Sequence, residues 1–214
     1  MTDAPSAGAA AAHVPAENHA VAGPYDKQAA LIVVDMQNDF ADPEGGLYVS
    51  GGEQILTAVN IEVTAAQNGR ATVVYTQDWH PESTPHFQKD GGIWPVHCVA
   101  GTWGGDLHPE LLVHGPVVRK GTSGEDGYSG FSVRDPVTGM GGPTQLHSLL
   151  PPDVQRLVII GLAGDYCVKE TALDGLRLGY SVQMPLALTR FVNLQPGDDQ
   201  RTIDELREAG VAVA

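Results

Sequence analysis

With 214 residues, and 26 acidic side chains against 12 lysines and arginines, the chain has the length of one α/β domain and a formal charge of −14. That charge repels nucleic-acid phosphates and anionic lipid, which leaves a small molecule as the expected partner. No apolar run approaches the roughly 20 residues that span a bilayer, and the two cysteines, Cys98 and Cys167, suggest neither a disulfide framework nor a CxxC motif, so a reducing cytoplasm is expected.

Residues 1–26 read as a disordered tail preceding a domain at 27–214. Alanine and proline stand where a signal peptide would have its long apolar segment, and the first 24 residues contain no lysine or arginine. His13 and His19 in this tail read as solvated. The run ALIVVD (30–35) is a continuous apolar strand of the kind buried on both faces. In EQILTAVNIEVTAAQNG, Ile55, Val59 and Val63 recur every four residues and Asn68-Gly69 is a stop signal, which predicts a helix. ATVVYT (71–76), PVVRK (116–120), RLVIIG (156–161) and SVQMPLA (181–187) read as strands, with helices at about 168–178 and 199–209 and a last short strand in the closing VAVA. Parallel strands need crossover connections, so this alternation predicts a three-layer α/β/α sandwich around a mostly parallel sheet.

The polar residues then fall at the carboxyl ends of the strands. Asp35 ends the first, Asp78 comes just after the second, Lys120 ends the third and Cys167 lies a few residues beyond the fourth. In open parallel sheets that edge is where ligands bind. Taken singly, Asp35 reads as a cap or turn residue, Lys120 as a solvated charge and Cys167 as a small buried hydrophobe. The Gly164-Asp165 pair, however, places Cys167 in the expected first turn of a helix. There the helix dipole and a nearby Lys120 would lower the thiol pKa.

VVDMQNDF (33–40), DWHPESTPHF (78–87), WPVHCVAGTWG (94–104), the lysine of VVRKG (117–121), GYSGF (127–131) and GDYCVKETALDG (164–175) occur in this order with compatible spacing. Together they resemble the nicotinamidases of the isochorismatase-like hydrolase superfamily, from about residue 28 to the C-terminus. The resemblance implies the isochorismatase-like hydrolase fold and a cysteine hydrolase with the triad Asp35, Lys120 and Cys167. Asp35 would take the thiol proton, deliver it to departing ammonia and then activate water against a thioester, with Lys120 holding both charges. It also implies a cis peptide at Leu162-Ala163 and an oxyanion hole made by the amides of Ala163 and Cys167. The implied reaction converts nicotinamide and water to nicotinate and ammonia in pyridine-nucleotide salvage, with pyrazinamide accepted as a related carboxamide.

Within that resemblance the crowded stretch DWHPESTPHF acquires a role. In an extended segment Asp78 and His80 project to the same side, and a turn at Pro81 and Pro85 can swing His86 back towards them. With His97 from the next block, they form the implied ligand set of one divalent metal, His86 being the fourth ligand at a place that varies among relatives. Carboxylate and imidazole without thiolate suit zinc, manganese or iron. The metal would orient the substrate ring, and Phe40 and Trp94, with Tyr128 nearby, would supply faces for it.

Some residues stand outside this scheme. His108, His114 and His147 lack company, and Cys98 is given no chemistry. Relatives often have threonine where this chain has Gly164. Gly175 falls within a predicted helix, at a cost of about 1 kcal/mol unless close packing requires it. The glycine-rich segment 132–150 is expected to cover the pocket mouth or a subunit contact, and a homo-oligomer is left open. The alternative function is a metal-independent cysteine amidohydrolase acting on an N-carbamoyl or ureido substrate, which would share the triad but not need Asp78, His80 and His97. An isochorismatase is disfavoured because its vinyl-ether chemistry does not use the cysteine. A catalytically silent interaction protein would have no need of the triad, and an iron oxygenase would call for a β-barrel or jelly roll.

Overall fold

The apolar first strand dictates the layering. In a computed structural model that describes residues 21–214, the elements in chain order are β1 (Ala29–Val34), α1 (Asn38–Ala41), α2 (Leu56–Asn68), β2 (Thr72–Asp78), β3 (Val117–Lys120), β4 (Ser132–Arg134), β5 (Gly141–Pro143), α3 (Leu146–Leu149), β6 (Arg156–Leu162), α4 (Lys169–Arg177), β7 (Ser181–Met184), β8 (Thr189–Arg190), α5 (Asp198–Ala209) and β9 (Ala212–Val213). Every residue of β1 is buried. Successive side chains of a strand point to opposite faces. Leu31 and Val33 accordingly join one core with Val59, Val63 and Ala66 of α2, whereas Ala30, Ile32 and Val34 join the other with Ala172 of α4 and Leu206 of α5. Two cores share one strand, so the strand has no polar face.

The main sheet runs β3-β2-β1-β6-β7-β9, with β8 added beside the end of β6, and all its pairings are parallel. Register sets up the chemistry: Asp78 pairs with Lys120 at the last position of the β2–β3 ladder. The strand therefore includes Asp78 instead of stopping before it, as the sequence reading expects. β7 ends at Met184 because Pro185 has no N–H to continue the ladder, and a short 3₁₀ turn over Leu186–Leu188 leads into β8, which is absent from the sequence reading. Segment 132–150 forms the antiparallel β4–β5 hairpin and α3.

Residues 1–20 of the expected tail, with His13 and His19, lie outside the described residues. Residues 21–26 belong to the same expected tail but are packed in part. The buried carboxylate of Glu62 on α2 accepts hydrogen bonds from the Val21 and Ala22 amides at 2.7 and 3.0 Å and from the Tyr25 hydroxyl at 2.7 Å. Arg156 donates to the Pro24 carbonyl at 2.6 Å. Gly175 has the packing that its helical position demands, since a Cβ there would lie 2.9 Å from Leu157 and 3.2 Å from Val182. Among the described residues no helix is long and apolar enough to cross a membrane.

Candidate active site

Three strand ends bring the expected triad together. Asp35 is the first residue past β1 and adopts φ of 47°, a left-handed conformation that aspartate tolerates better than most residues. Lys120 ends β3, and Cys167 lies in a π-helical turn, Gly164–Val168, that leads directly into α4. Lys120 is fully buried, with Nζ 2.7 Å from Asp35 Oδ2, 2.5 Å from Asp78 Oδ1, 2.5 Å from the Gly127 carbonyl and 3.6 Å from Cys167 Sγ. Carboxylate oxygens of Asp35 and Asp78 and the Cys167 sulfur all lie within 4.8 Å of one another. Thr76 donates to the other oxygen of Asp35 at 2.7 Å, which leaves Oδ2 without a well-directed hydrogen bond.

Electrostatics here differ from the sequence expectation. Burial pushes the Cys167 thiol well above its ordinary range, Lys120 draws it down and Asp35 adds to the rise. The thiol is therefore the resting form, and the helix end and Lys120 do not hold a standing thiolate. Burial also raises the Asp35 carboxyl, against the pull of Lys120. Burial opposes ionisation of Asp78 too, but Lys120 and then His80 overcome it and hold that carboxyl below the usual range. Lys120 stays charged because Asp35 and Asp78 outweigh its desolvation.

The Leu162-Ala163 peptide is cis, as the resemblance implies. The Ala163 carbonyl accepts from the amides of Tyr166 and Val168, whereas the Ala163 amide makes no backbone hydrogen bond outside the strands and helices. Gly164 has a local reason: a Cβ there would lie 2.5 Å from the Phe191 ring. Phe191 thus occupies space that a larger residue at 164 would need.

A second group adjoins the triad. The side chains of His80, His86 and His97 are buried, each with a ring nitrogen within 4.8 Å of the others. Their ring centroids are 4.9 Å apart for His80 and His86, 5.2 Å for His80 and His97, and 5.6 Å for His86 and His97. His97 Nδ1 is 2.7 Å from the Pro95 carbonyl, and His86 Nδ1 is 3.0 Å from Asp126 Oδ1. Since a carbonyl and a carboxylate accept, both rings donate a proton from Nδ1, which in the neutral ring leaves the lone pair on Nε2. Burial pushes the His97 imidazole down to about 4, despite Asp78, so it is neutral near pH 7. Asp78 Oδ2 approaches His80 Nε2 at 3.5 Å, so Asp78 faces both groups.

These residues fit a divalent metal on two grounds. Both ring nitrogens of His80 are buried without a hydrogen-bond partner, a costly state for polar atoms that coordination would relieve. Asp35 and Asp78 also outnumber the buried ammonium of Lys120, and a cation beside Asp78 would offset the excess. Gly121 makes room for the cluster: it has φ of 72°, and a Cβ there would sit 2.6 Å from His80 Cε1.

Both groups open into one small cavity, lined by Phe40, Trp94, Tyr128 and Ala163 beside Asp78, His86, His97 and Cys167. The cavity also takes Tyr166 and the apolar Leu47, Val49 and Val192, none of which the sequence reading names. Trp94 donates from Nε1 to the Tyr128 hydroxyl at 2.8 Å and meets Tyr166 edge-on with centroids 4.7 Å apart. No residue of 132–150 is among those that line this cavity. Cys98 is buried in the core with its amide donating to Asp39, His108 Nδ1 accepts from the Glu110 amide, and His147 pairs with Tyr180.

Comparison with known proteins gives a consistent result. The Isochorismatase domain family matches residues 29–213. The nicotinamidase of Escherichia coli (strain K12) is 34% identical over 204 residues, covering 86% of this chain and 93% of that protein. The pyrazinamidase of Pyrococcus horikoshii, solved in complex with zinc, is 35% identical with a TM-score of 0.76, covering 87% of this chain and 98% of that one. PnC1 from L. infantum, solved in complex with nicotinate, is 36% identical with a TM-score of 0.78, covering 88% of this chain and 92% of that one.

Proposed function

The chain belongs to the isochorismatase domain family, and on that premise we propose that it is a nicotinamidase, hydrolysing nicotinamide to nicotinate and ammonia. One observation carries this reading: a thiol, carboxylate and ammonium centre and an imidazole cluster border the same small aromatic-lined cavity. A carboxamide carbon is a poor electrophile, so cleavage needs a strong nucleophile and a proton for the departing nitrogen. In the proposed roles Asp35 removes the Cys167 proton as the sulfur attacks the carbonyl carbon. The amides of Ala163 and Cys167 stabilise the resulting oxyanion. Asp35 then returns the proton to nitrogen, the C–N bond breaks, and ammonia leaves a thioester on Cys167.

A water molecule that gives its proton to Asp35 attacks the thioester, and collapse releases nicotinate and restores the thiol. Lys120 keeps Asp35 and the sulfur in register through both halves. The raised Cys167 pKa supports proton transfer coupled to attack rather than a preformed thiolate. Asp78, His80, His86 and His97 would hold one divalent metal, zinc, manganese or iron. When bound, such an ion supplies a Lewis-acidic anchor for the pyridine nitrogen. Phe40, Trp94 and Tyr128 would bracket the flat ring, and other aromatic carboxamides such as pyrazinamide fit the same walls.

A metal-free amidohydrolase acting on ureido or carbamoyl compounds would give no role to His80, whose two ring nitrogens are buried without partners. The deciding experiment is ammonia release from nicotinamide by purified, metal-loaded protein, repeated with Cys167→Ala and after chelation with metal add-back. Ammonia release that depends on both Cys167 and metal is expected. Full activity of Cys167→Ala, or no release by the wild type, overturns the proposal.

A further inference from the structure

The β4–β5 hairpin does not line the cavity, yet it is tied to it by one residue. Asp126 lies in the loop between Lys120 and the hairpin, and its carboxylate takes the Nδ1 hydrogen bond of His86 at 3.0 Å. Its backbone is bound to the hairpin in both directions: the Asp126 amide donates to the Arg134 carbonyl at 2.7 Å, and the Arg134 amide donates back to the Asp126 carbonyl at 2.9 Å. β4 is itself held on α4, since the Ser132 hydroxyl donates to Asp174 at 2.6 Å. The loop otherwise exposes Thr122 and Ser123 to solvent.

We infer that Asp126 is a positioning residue that fixes the tautomer and ring orientation of His86 at the cation cluster, and that the β4–β5 hairpin exists in this chain to hold Asp126 in place. The inference rests on the metal site described under Proposed function. The physical reason is general: an imidazole whose far nitrogen is held by a carboxylate presents its other lone pair in one direction and is more basic as a ligand. His97 has the Pro95 carbonyl for this purpose; the His86 ring packs against His80 and Tyr128, but the hydrogen bond that holds its Nδ1 goes to Asp126. The next residue on the loop, Gly127, accepts from Lys120 through its carbonyl, so the same clamp sets the loop that closes over the triad ammonium.

The test uses the full-length chain stripped of metal and titrated with Zn²⁺ against a chromophoric chelator. Asp126→Ala is expected to weaken Zn²⁺ binding by about 10- to 100-fold, with Asp126→Asn, which keeps an acceptor oxygen, falling between it and the wild type. Arg134→Pro removes the amide that binds Asp126 but leaves the carboxylate, and it should weaken Zn²⁺ in the same direction. Co²⁺-loaded Asp126→Asn should show an altered visible absorption spectrum, a change that a purely structural role would not produce. Because Asp126→Asn is nearly isosteric, the result does not depend on the bolder variants folding. Zn²⁺ affinity and a Co²⁺ spectrum unchanged in Asp126→Asn and Asp126→Ala would overturn the role of Asp126, and wild-type affinity in folded Arg134→Pro would overturn that of the hairpin. A wild type that binds no Zn²⁺ would overturn the underlying metal reading, and this inference with it.

Discussion

Lys120 Nζ stands 2.7 Å from Asp35 Oδ2, and the same buried ammonium reaches Asp78 at 2.5 Å, so one cation serves two carboxylates. Removing one partner of a buried ion pair leaves an uncompensated charge, which typically costs about 3–5 kcal/mol. Lys120→Met should therefore lower thermal stability by an amount in that range as well as abolish turnover. The double variant Lys120→Met/Asp35→Asn should recover part of the loss. Calorimetry decides it, and a melting temperature equal to that of the wild type would show that the three charges are not coupled.

The acid side of the activity profile should report Asp35. Proton removal requires the carboxylate, and burial raises its pKa. The limb of kcat/KM should therefore sit above the ordinary aspartate value of about 3.9, with activity lost as pH falls through it. The corresponding stability effect has the opposite sense. A raised carboxyl favours the folded state below the unfolded pKa, and that contribution disappears as pH rises through the folded value. A profile whose acid limb lay at or below the ordinary value would contradict the assignment.

Gly121→Ala should weaken the metal site while leaving the fold largely intact. The new methyl would fall 2.6 Å from His80 Cε1 and 2.7 Å from Nδ1, at a residue with φ of 72°. The ring must turn or the loop must shift. Metal content after dialysis should drop relative to the wild type; equal occupancy and equal activity would mean that the loop accommodates the methyl freely.

Gly164 and Phe191 should behave as a pair. A methyl at 164 would lie 2.5 Å from the Phe191 ring, and overpacking of this kind costs about 1–3 kcal/mol. Gly164→Ala should lower kcat because the strain falls between Ala163 and Cys167, and Gly164→Ala/Phe191→Ala should restore part of it. Rescue that failed in a well-folded double variant would rule out the steric explanation.

Much of this architecture was legible because β1 is apolar at every position and the reactive side chains sit at strand ends, where a parallel sheet gathers them. Asp35, Lys120 and Cys167 were within reach of that geometric argument, whereas the imidazole cluster needed the family resemblance. What escaped has physical causes. The β4–β5 hairpin is built from SVR and GGP, too short and glycine-rich for any periodic signal. Asp126 sits in GTSGEDG, where an aspartate reads as a turn former, and only its distance to His86 reveals its use. The sequence puts Cys167 in the first turn of a helix and the structure puts it in a π-helical turn that leads into α4, but the depth of its burial, which raises the thiol's pKa, is not written in local sequence. Residues 21–26 share the Ala/Pro bias of the segment before them, yet Glu62 anchors them from 40 positions away.

Leu47, Val49 and Val192 line the cavity with hydrocarbon alone, while its polar lining consists of charges and imidazoles that depend on one another. Evolution or engineering that seeks bulkier amides therefore has one permissive direction. Trimming the aliphatic side enlarges the space without disturbing proton traffic, whereas each change on the polar side alters several functions at once. Substrate range in this enzyme should widen through its greasiest residues and stay closed through its most reactive ones.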